Sequence, residues 1–118
     1  MRMTIYHNPR CSKSRQTLQL LEDAGQEVTV IEYLKTPPDE KTLRSVLRLL
    51  GIGARDLLRT KEDEYRMFGL DDSSLSEDAI IQCMLEHPRL IERPIVIAGN
   101  KAIIGRPPEK VLQLLEQS

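Results

Sequence analysis

The pattern that most constrains this chain lies between Met3 and Leu34. Met3 to Tyr6 reads as a short buried strand, Ser12 to Ala24 as a helix, and Glu27 to Leu34 (EVTVIEYL) as a second, β-branched strand. In the helix Ser14, Leu18 and Leu21 share a face at i, i+4 and i+7, and Gly25 is suited to close it at C′. Strand, helix and strand over about thirty residues make a βαβ unit, so the two strands run parallel with a right-handed crossover. The loop after the first strand then lies at the carboxyl end of the sheet, where open α/β sheets take ligands.

That loop runs from His7 through Asn8, Pro9 and Arg10 to Cys11, Ser12, Lys13, Ser14 and Arg15. No acidic residue occurs before Glu22, although the chain as a whole carries a net charge of only −1. Cys11 falls at the first turn of the helix, where backbone amides lack intrahelical partners and the helix dipole is positive. With Arg and Lys nearby, a thiol so placed can fall from a pKa of about 8.5 into the range of roughly 3.5–7.5. The same donors suit an oxyanion. A lone cysteine is equally compatible with a small helix-start residue on a solvated basic face.

The rest of the chain supplies more helices and a hairpin. Thr36-Pro37-Pro38-Asp39 reads as a helix start with Thr36 as N-cap and Pro37 at the first position. Leu43, Val46, Leu47 and Leu50 form its apolar stripe, and Gly51 ends it. A short helix over Ala54 to Arg59 and a charged one over Lys61 to Phe68 follow; the run Lys61-Glu62-Asp63-Glu64 reads as a solvated face. Ser76 caps the next helix, in which Ile80, Cys83, Met84 and His87 share a face before Pro88 stops it. Cys83 is therefore expected in the core and His87 at a helix end, neither as a ligand. Pro94 to Ala98 and Ala102 to Gly105 read as an antiparallel hairpin. Pro107-Pro108-Glu109 opens a last helix with Val111, Leu112 and Leu115 inward.

The order β-α-β, helical block, β-β-α matches an α/β, thioredoxin-like fold: a four-stranded mixed sheet with a helical insertion from about Thr36 to Leu90. At 118 residues with 40% hydrophobic content, one domain is expected. Tyr6 and Tyr33 are expected in its core. No apolar run reaches membrane-spanning length and no signal-peptide pattern opens the chain, so a cytoplasmic location with neither membrane nor nucleic-acid partners is expected. Two cysteines and two distant histidines give no metal-ligand spacing and no expected structural disulfide.

Three arginines alter the balance for Cys11. Arg93 precedes Pro94, Arg106 precedes Pro107, and Arg59 ends the short helix of the insertion. In this topology the turn before the third strand packs beside the cysteine loop, and an X-Pro bond there can be cis at about 0.5–1 kcal/mol. Arg93 would then aim at Cys11, and a planar guanidinium can bind two oxygens of a tetrahedral anion.

The stretches IYHNPRCSKSRQTL, RDLLRTKEDEY, IERPIVI and GRPPEKVL, in that order, resemble the glutaredoxin-dependent arsenate reductase (ArsC) family over essentially the whole chain. The resemblance implies a thioredoxin-like fold with a helical insertion, Cys11 as nucleophile of a Cys-x-x-Ser type, and Arg59, Arg93 and Arg106 as anion-binding arginines. It implies supporting roles for His7 and Ser14 near the cysteine, beside Arg15 of the basic loop, and a cis-proline at Pro94. It further implies arsenate or a similar oxyanion as substrate, glutathione as co-substrate with no bound cofactor or metal, and glutaredoxin as partner. The loop Pro9 to Ser14 is more basic than in well-characterised arsenate reductases, which suggests a shorter, arsenate-reductase-like branch.

Other readings fare less well. A phosphatase-type loop needs Cys-x5-Arg, and the sixth residue after Cys11 is Thr17. A monothiol glutaredoxin-like oxidoreductase fits Cys-x-x-Ser but needs fewer arginines. A redox-responsive regulator of the Spx type usually carries Cys-x-x-Cys, whereas this chain has Ser14 at the second position.

Overall fold

A computed structural model of the protein describes residues 2–115. They form two compact units: the described part of Met1–Thr36 with Arg93–Ser118, and Pro37–Glu92. The first unit contains β1 (Arg2–His7), α1 (Ser12–Asp23), β2 (Glu27–Glu32), β3 (Ile95–Ala98) and β4 (Lys101–Ile104). It closes with a 3-10 turn, Pro108–Val111, and α5 (Leu112–Leu115). The sheet order is β2-β1-β3-β4. β1 runs parallel to β2 with Met3 opposite Val28, and antiparallel to β3 with Ile5 opposite Val96. β3 and β4 form the hairpin, Val96 facing Ile103. This is the α/β, four-stranded mixed sheet expected from the element order.

Burial follows position in the sheet. β1 is central, and Met3, Ile5, Tyr6 and His7 are all buried. Met3, Ile5, Leu21, Val96, Ala98, Val111 and Leu114 make one core cluster, with Leu18, Val28 and Ile103 packed against it. β2 is an edge strand, and its β-branched residues are not all inward: Val30 is exposed. The strand ends at Glu32, so Tyr33 is buried from a turn while Leu34 faces solvent. Gly25 sits at φ 75 after α1, as the C′ position requires.

The C-terminal helix departs from the expected face. Val111 is buried, but Leu114 rather than Leu112 is its companion, at 6% and 37% exposure. The segment begins as a 3-10 turn, in which residues three apart eclipse, so the inward step from Val111 lands on Leu114.

The second unit is helical and spans Pro37–Glu92, in line with the expected insertion of about 36–90. It comprises α2 (Glu40–Leu50), a 3-10 turn Ala54–Leu57, α3 (Asp63–Met67), α4 (Glu77–Glu86) and a 3-10 turn Pro88–Leu90. The N-cap of α2 is Asp39, not Thr36; its carboxylate accepts from the Thr42 amide at 2.8 Å. Residues before proline are pushed out of the helical region, so Thr36-Pro37-Pro38 stays outside the helix and the cap moves to Asp39. Ser76 caps α4 as expected, accepting from the Ala79 amide at 3.1 Å.

In α4 the buried stripe is Ile80, Ile81 and Met84, and Cys83 is only half-buried. At 100° per residue the stripe centres between Ile80 and Ile81, which leaves Cys83 about 110° away. Burial, and next the Glu86 charge, push its thiol up. His87 ends the helix, stacked on Phe68 at 4.4 Å between ring centroids. The run Lys61 to Glu64 is not uniformly solvated. Glu62 bridges Arg59 and Arg89, and Glu64 also reaches Arg89, with the two glutamate side chains only 16% and 18% exposed. Opposite charges nearby recruit alternate members of the run inward. Among the described residues no helix is long and apolar enough to cross a membrane, and no three His, Cys, Asp or Glu side chains form a metal-binding group.

Leu114→Ala should lower unfolding free energy by about 2–4 kcal/mol and Leu112→Ala by under about 1 kcal/mol in urea denaturation. The reverse order would restore the α-helical register.

Candidate active site

The site begins with a turn that the local sequence dictates. Asn8, Pro9, Arg10 and Cys11 form a β-turn, closed by the Cys11 amide donating to the Asn8 carbonyl at 3.0 Å. Asn favours the first position of a type I turn and Pro the second. The Asn8 side chain tightens it, Oδ1 accepting from the Arg10 amide at 3.0 Å. Arg15 braces it from outside, its guanidinium donating to the Pro9 carbonyl at 3.0 Å. Asn8 was not singled out from the sequence, though Asn-Pro before a helix carried the signal.

The turn delivers Cys11 to the N-cap of α1, with φ −94 and ψ 122. This is the position from which Ser, Thr or Asp normally bonds the second and third helical amides. Here those amides belong to Lys13 and Ser14. The neutral thiol makes no closed cap bond, but both amides favour its anion. Burial pushes the Cys11 thiol up; the Ser14 amide, a hydrogen bond and the charge from Arg93, and the Lys13 amide together outweigh it, so its pKa is lowered.

Arg93 and Arg106 come from the two ends of the hairpin. Arg93 lies two residues before β3, joined to Pro94 by a cis bond, and Arg106 lies two residues after β4, with a second cis bond to Pro107. Pro94 is thus cis as the resemblance implied. Arg106 Nη1 lies 4.0 Å from Cys11 Sγ and donates to the Arg93 carbonyl at 3.2 Å. The hairpin therefore brings both arginines to the sulfur. Gly105 is required for that closeness: a Cβ there would lie 2.6 Å from Thr17 Oγ1 and 2.9 Å from Pro94 Cγ. Thr17, fully buried, was noted in the sequence only for not being arginine; its hydroxyl donates to the Lys13 carbonyl at 2.8 Å.

Behind the loop lies a buried polar pair. Ser14 is fully buried, and its Oγ accepts from the Asn8 amide at 3.1 Å. The same hydroxyl shares a hydrogen bond with His7 Nδ1, 2.6 Å away. Burial, aided by the Arg15 charge and opposed by Glu32, lowers the His7 pKa and keeps the ring neutral. Ser14 thus serves the site twice, with its amide on the sulfur and its hydroxyl on the loop.

Arg59 belongs to the helical unit. Its amide donates to the Leu90 carbonyl at 2.8 Å, and its guanidinium is held by Glu62 at 3.2 Å and Glu92 at 2.7 Å. The sequence reading anticipated neither carboxylate.

The arrangement offers a thiolate nucleophile, amides facing it and two guanidinium groups beside it, which suits attack on a tetrahedral oxyanion. In an alkylation-rate titration Cys11 should show a midpoint below the ordinary thiol value. Arg93→Ala should raise that midpoint, because it removes a hydrogen bond and a charge that favour the anion. A wild-type midpoint near about 8.5 contradicts the geometry.

Known proteins are similar to this chain in sequence and in fold. The sequence profile of the ArsC family matches residues 6–114. The uncharacterized protein YfgD of Escherichia coli K12 is 59% identical over 112 residues, covering 94% of each chain. An arsenate reductase of Haemophilus influenzae is 47% identical over 116 residues, covering 98% of this chain and all of its own. The solved structure of an arsenate reductase from Vibrio cholerae superimposes with a TM-score of 0.93 at 50% identity, over 96% of this chain and 97% of that one. With the family profile matched over residues 6–114 and relatives alike in sequence and fold along nearly its full length, this chain belongs to the ArsC family.

Proposed function

We propose that the protein is an arsenate reductase that uses glutathione and glutaredoxin as its source of reducing equivalents. The observation that carries this reading is the Cys11 sulfur, set at a helix N-cap with its pKa lowered and with Arg93 and Arg106 beside it. Relatives named arsenate reductase at 42–47% identity support the substrate.

In this mechanism Arg93, Arg106 and the helix amides bind the oxyanion and spread its charge. The Cys11 thiolate forms a bond to arsenic, and one arsenate oxygen leaves as water after taking up two protons. Glutathione sulfur then bonds to Cys11 sulfur as the arsenic–sulfur bond breaks. The electron pair of that bond remains on arsenic, which passes from As(V) to As(III). Counted in neutral forms, arsenic acid, the Cys11 thiol and one glutathione thiol give arsenous acid, one water and the Cys11–glutathione disulfide. A glutaredoxin thiolate attacks the glutathione sulfur of that disulfide and returns Cys11 as thiolate. One cysteine suffices because the other thiols come from partners, in keeping with Ser14 at the second position of the motif. Arg59 enters this reading through the resemblance, and its own variant decides its part.

The test is arsenate-dependent NADPH oxidation with glutathione, glutaredoxin and glutathione reductase. Wild type should turn over and Cys11→Ser should not. Arg93→Ala and Arg106→Ala should each lower kcat/KM by about 10²-fold. Cys83→Ser should retain turnover, since burial pushes the Cys83 thiol up, away from its reactive anionic form. Absence of turnover in the wild type, with Cys11 still reactive, would direct the same site to another electrophile.

A further inference from the structure

We propose that Arg10 and Lys13 form a docking rim for a small thiol bearing carboxylates, and so select which thiol resolves the Cys11 adduct. The proposal rests on the thiol-dependent reading above and adds the residues that recognise the thiol.

The cations around the Cys11 turn divide by what they touch. Arg93 and Arg106 attend the sulfur. Arg15 is bonded to the Pro9 carbonyl. Arg10 and Lys13 flank Cys11, both are exposed, and among the described residues neither forms an ion pair or a side-chain hydrogen bond. Nor does the local sequence offer them a carboxylate, since the first acid is Glu22. Their backbones are nonetheless fixed: the Arg10 amide is held by Asn8 Oδ1, and the Lys13 carbonyl by the Thr17 hydroxyl. Two exposed, unneutralised charges are therefore carried on fixed backbone within two residues of the half-buried Cys11.

Exposed charges do little for stability. They act on what approaches. The oxyanion is served at the sulfur by Arg93, Arg106 and the amides. The second reactant must bring its own sulfur to Cys11, whose loop carries the exposed Arg10 and Lys13. A thiol with carboxylates, such as glutathione, gains attraction from both residues, whereas a neutral thiol gains none.

The test isolates thiol recognition from arsenate chemistry. In a Cys83→Ser background, Cys11 is converted to its mixed disulfide with pyridine-2-thiol. Attack by a thiolate on the Cys11 sulfur forms the new disulfide and expels pyridine-2-thione, whose absorbance gives the rate. Glutathione is compared with glutathione diethyl ester, each normalised to its rate with free 2,2′-dithiodipyridine. The normalised preference for glutathione should be about fivefold with Arg10 and Lys13 present, and should shrink as salt is raised. It should fall at least about twofold in Arg10→Gln/Lys13→Gln, the remainder coming from Arg93 and Arg106 at the sulfur. A wild-type preference near one, or an unchanged preference in the double variant, overturns the proposal. A protein that discriminates in this assay yet fails to reduce arsenate overturns the reductase reading and supports the rim.

Discussion

The second and third amides of α1 are the contacts on which the site depends. They have no intrahelical acceptors. In most helices a Ser, Thr or Asp side chain at the N-cap satisfies them. Here the N-cap is Cys11, a poor acceptor while protonated and a good one as thiolate. The need that a cap ordinarily meets for stability is thereby turned into a preference for the reactive form of the sulfur. Arg93 adds its hydrogen bond and charge to the same atom, against the opposing effect of burial.

The geometry around that sulfur comes from two independent parts of one sheet. The β1–α1 turn supplies the amides, closed by Asn8 and supported from below by the Ser14–His7 pair. The β3–β4 hairpin supplies Arg93 and Arg106 from its two ends. They meet because β3 lies antiparallel beside β1, so the start of β3 reaches the level where β1 ends: Tyr6 faces Ile95. The neutral form of His7 is favoured in this interior, chiefly because burial disfavours a second proton on the ring.

Charge is distributed unevenly among the arginines. Arg59 is neutralised by Glu62 and Glu92 within the helical unit, and Arg93 and Arg106 are set against the sulfur. Arg10 and Lys13 remain turned to solvent. The basic character of the loop is thus composed of groups in quite different electrostatic states, although they look alike as letters.

Much of this was legible in one dimension. Periodicity and turn residues marked β1, α1 and β2, and the handedness of the crossover then required a parallel pair with Cys11 at its carboxyl end. The hairpin followed from Gly99-Asn100, and the arginine–proline pairs pointed to both hairpin ends. Four assignments needed three dimensions. The cap of α2 moved from Thr36 to Asp39, the inward leucine of the last segment from Leu112 to Leu114, and the stripe of α4 from Cys83 to Ile81; the acidic run at Lys61 proved half inward. Each was a matter of phase or pairing, set by which neighbour lay within reach. The chain by itself determined the elements, their order and the identity of the reactive thiol, because those depend on local propensity and spacing. Only the tertiary structure decided which cations touch the sulfur, which are bound by carboxylates and which face water, because electrostatic partners are chosen by distances that sequence separation does not encode.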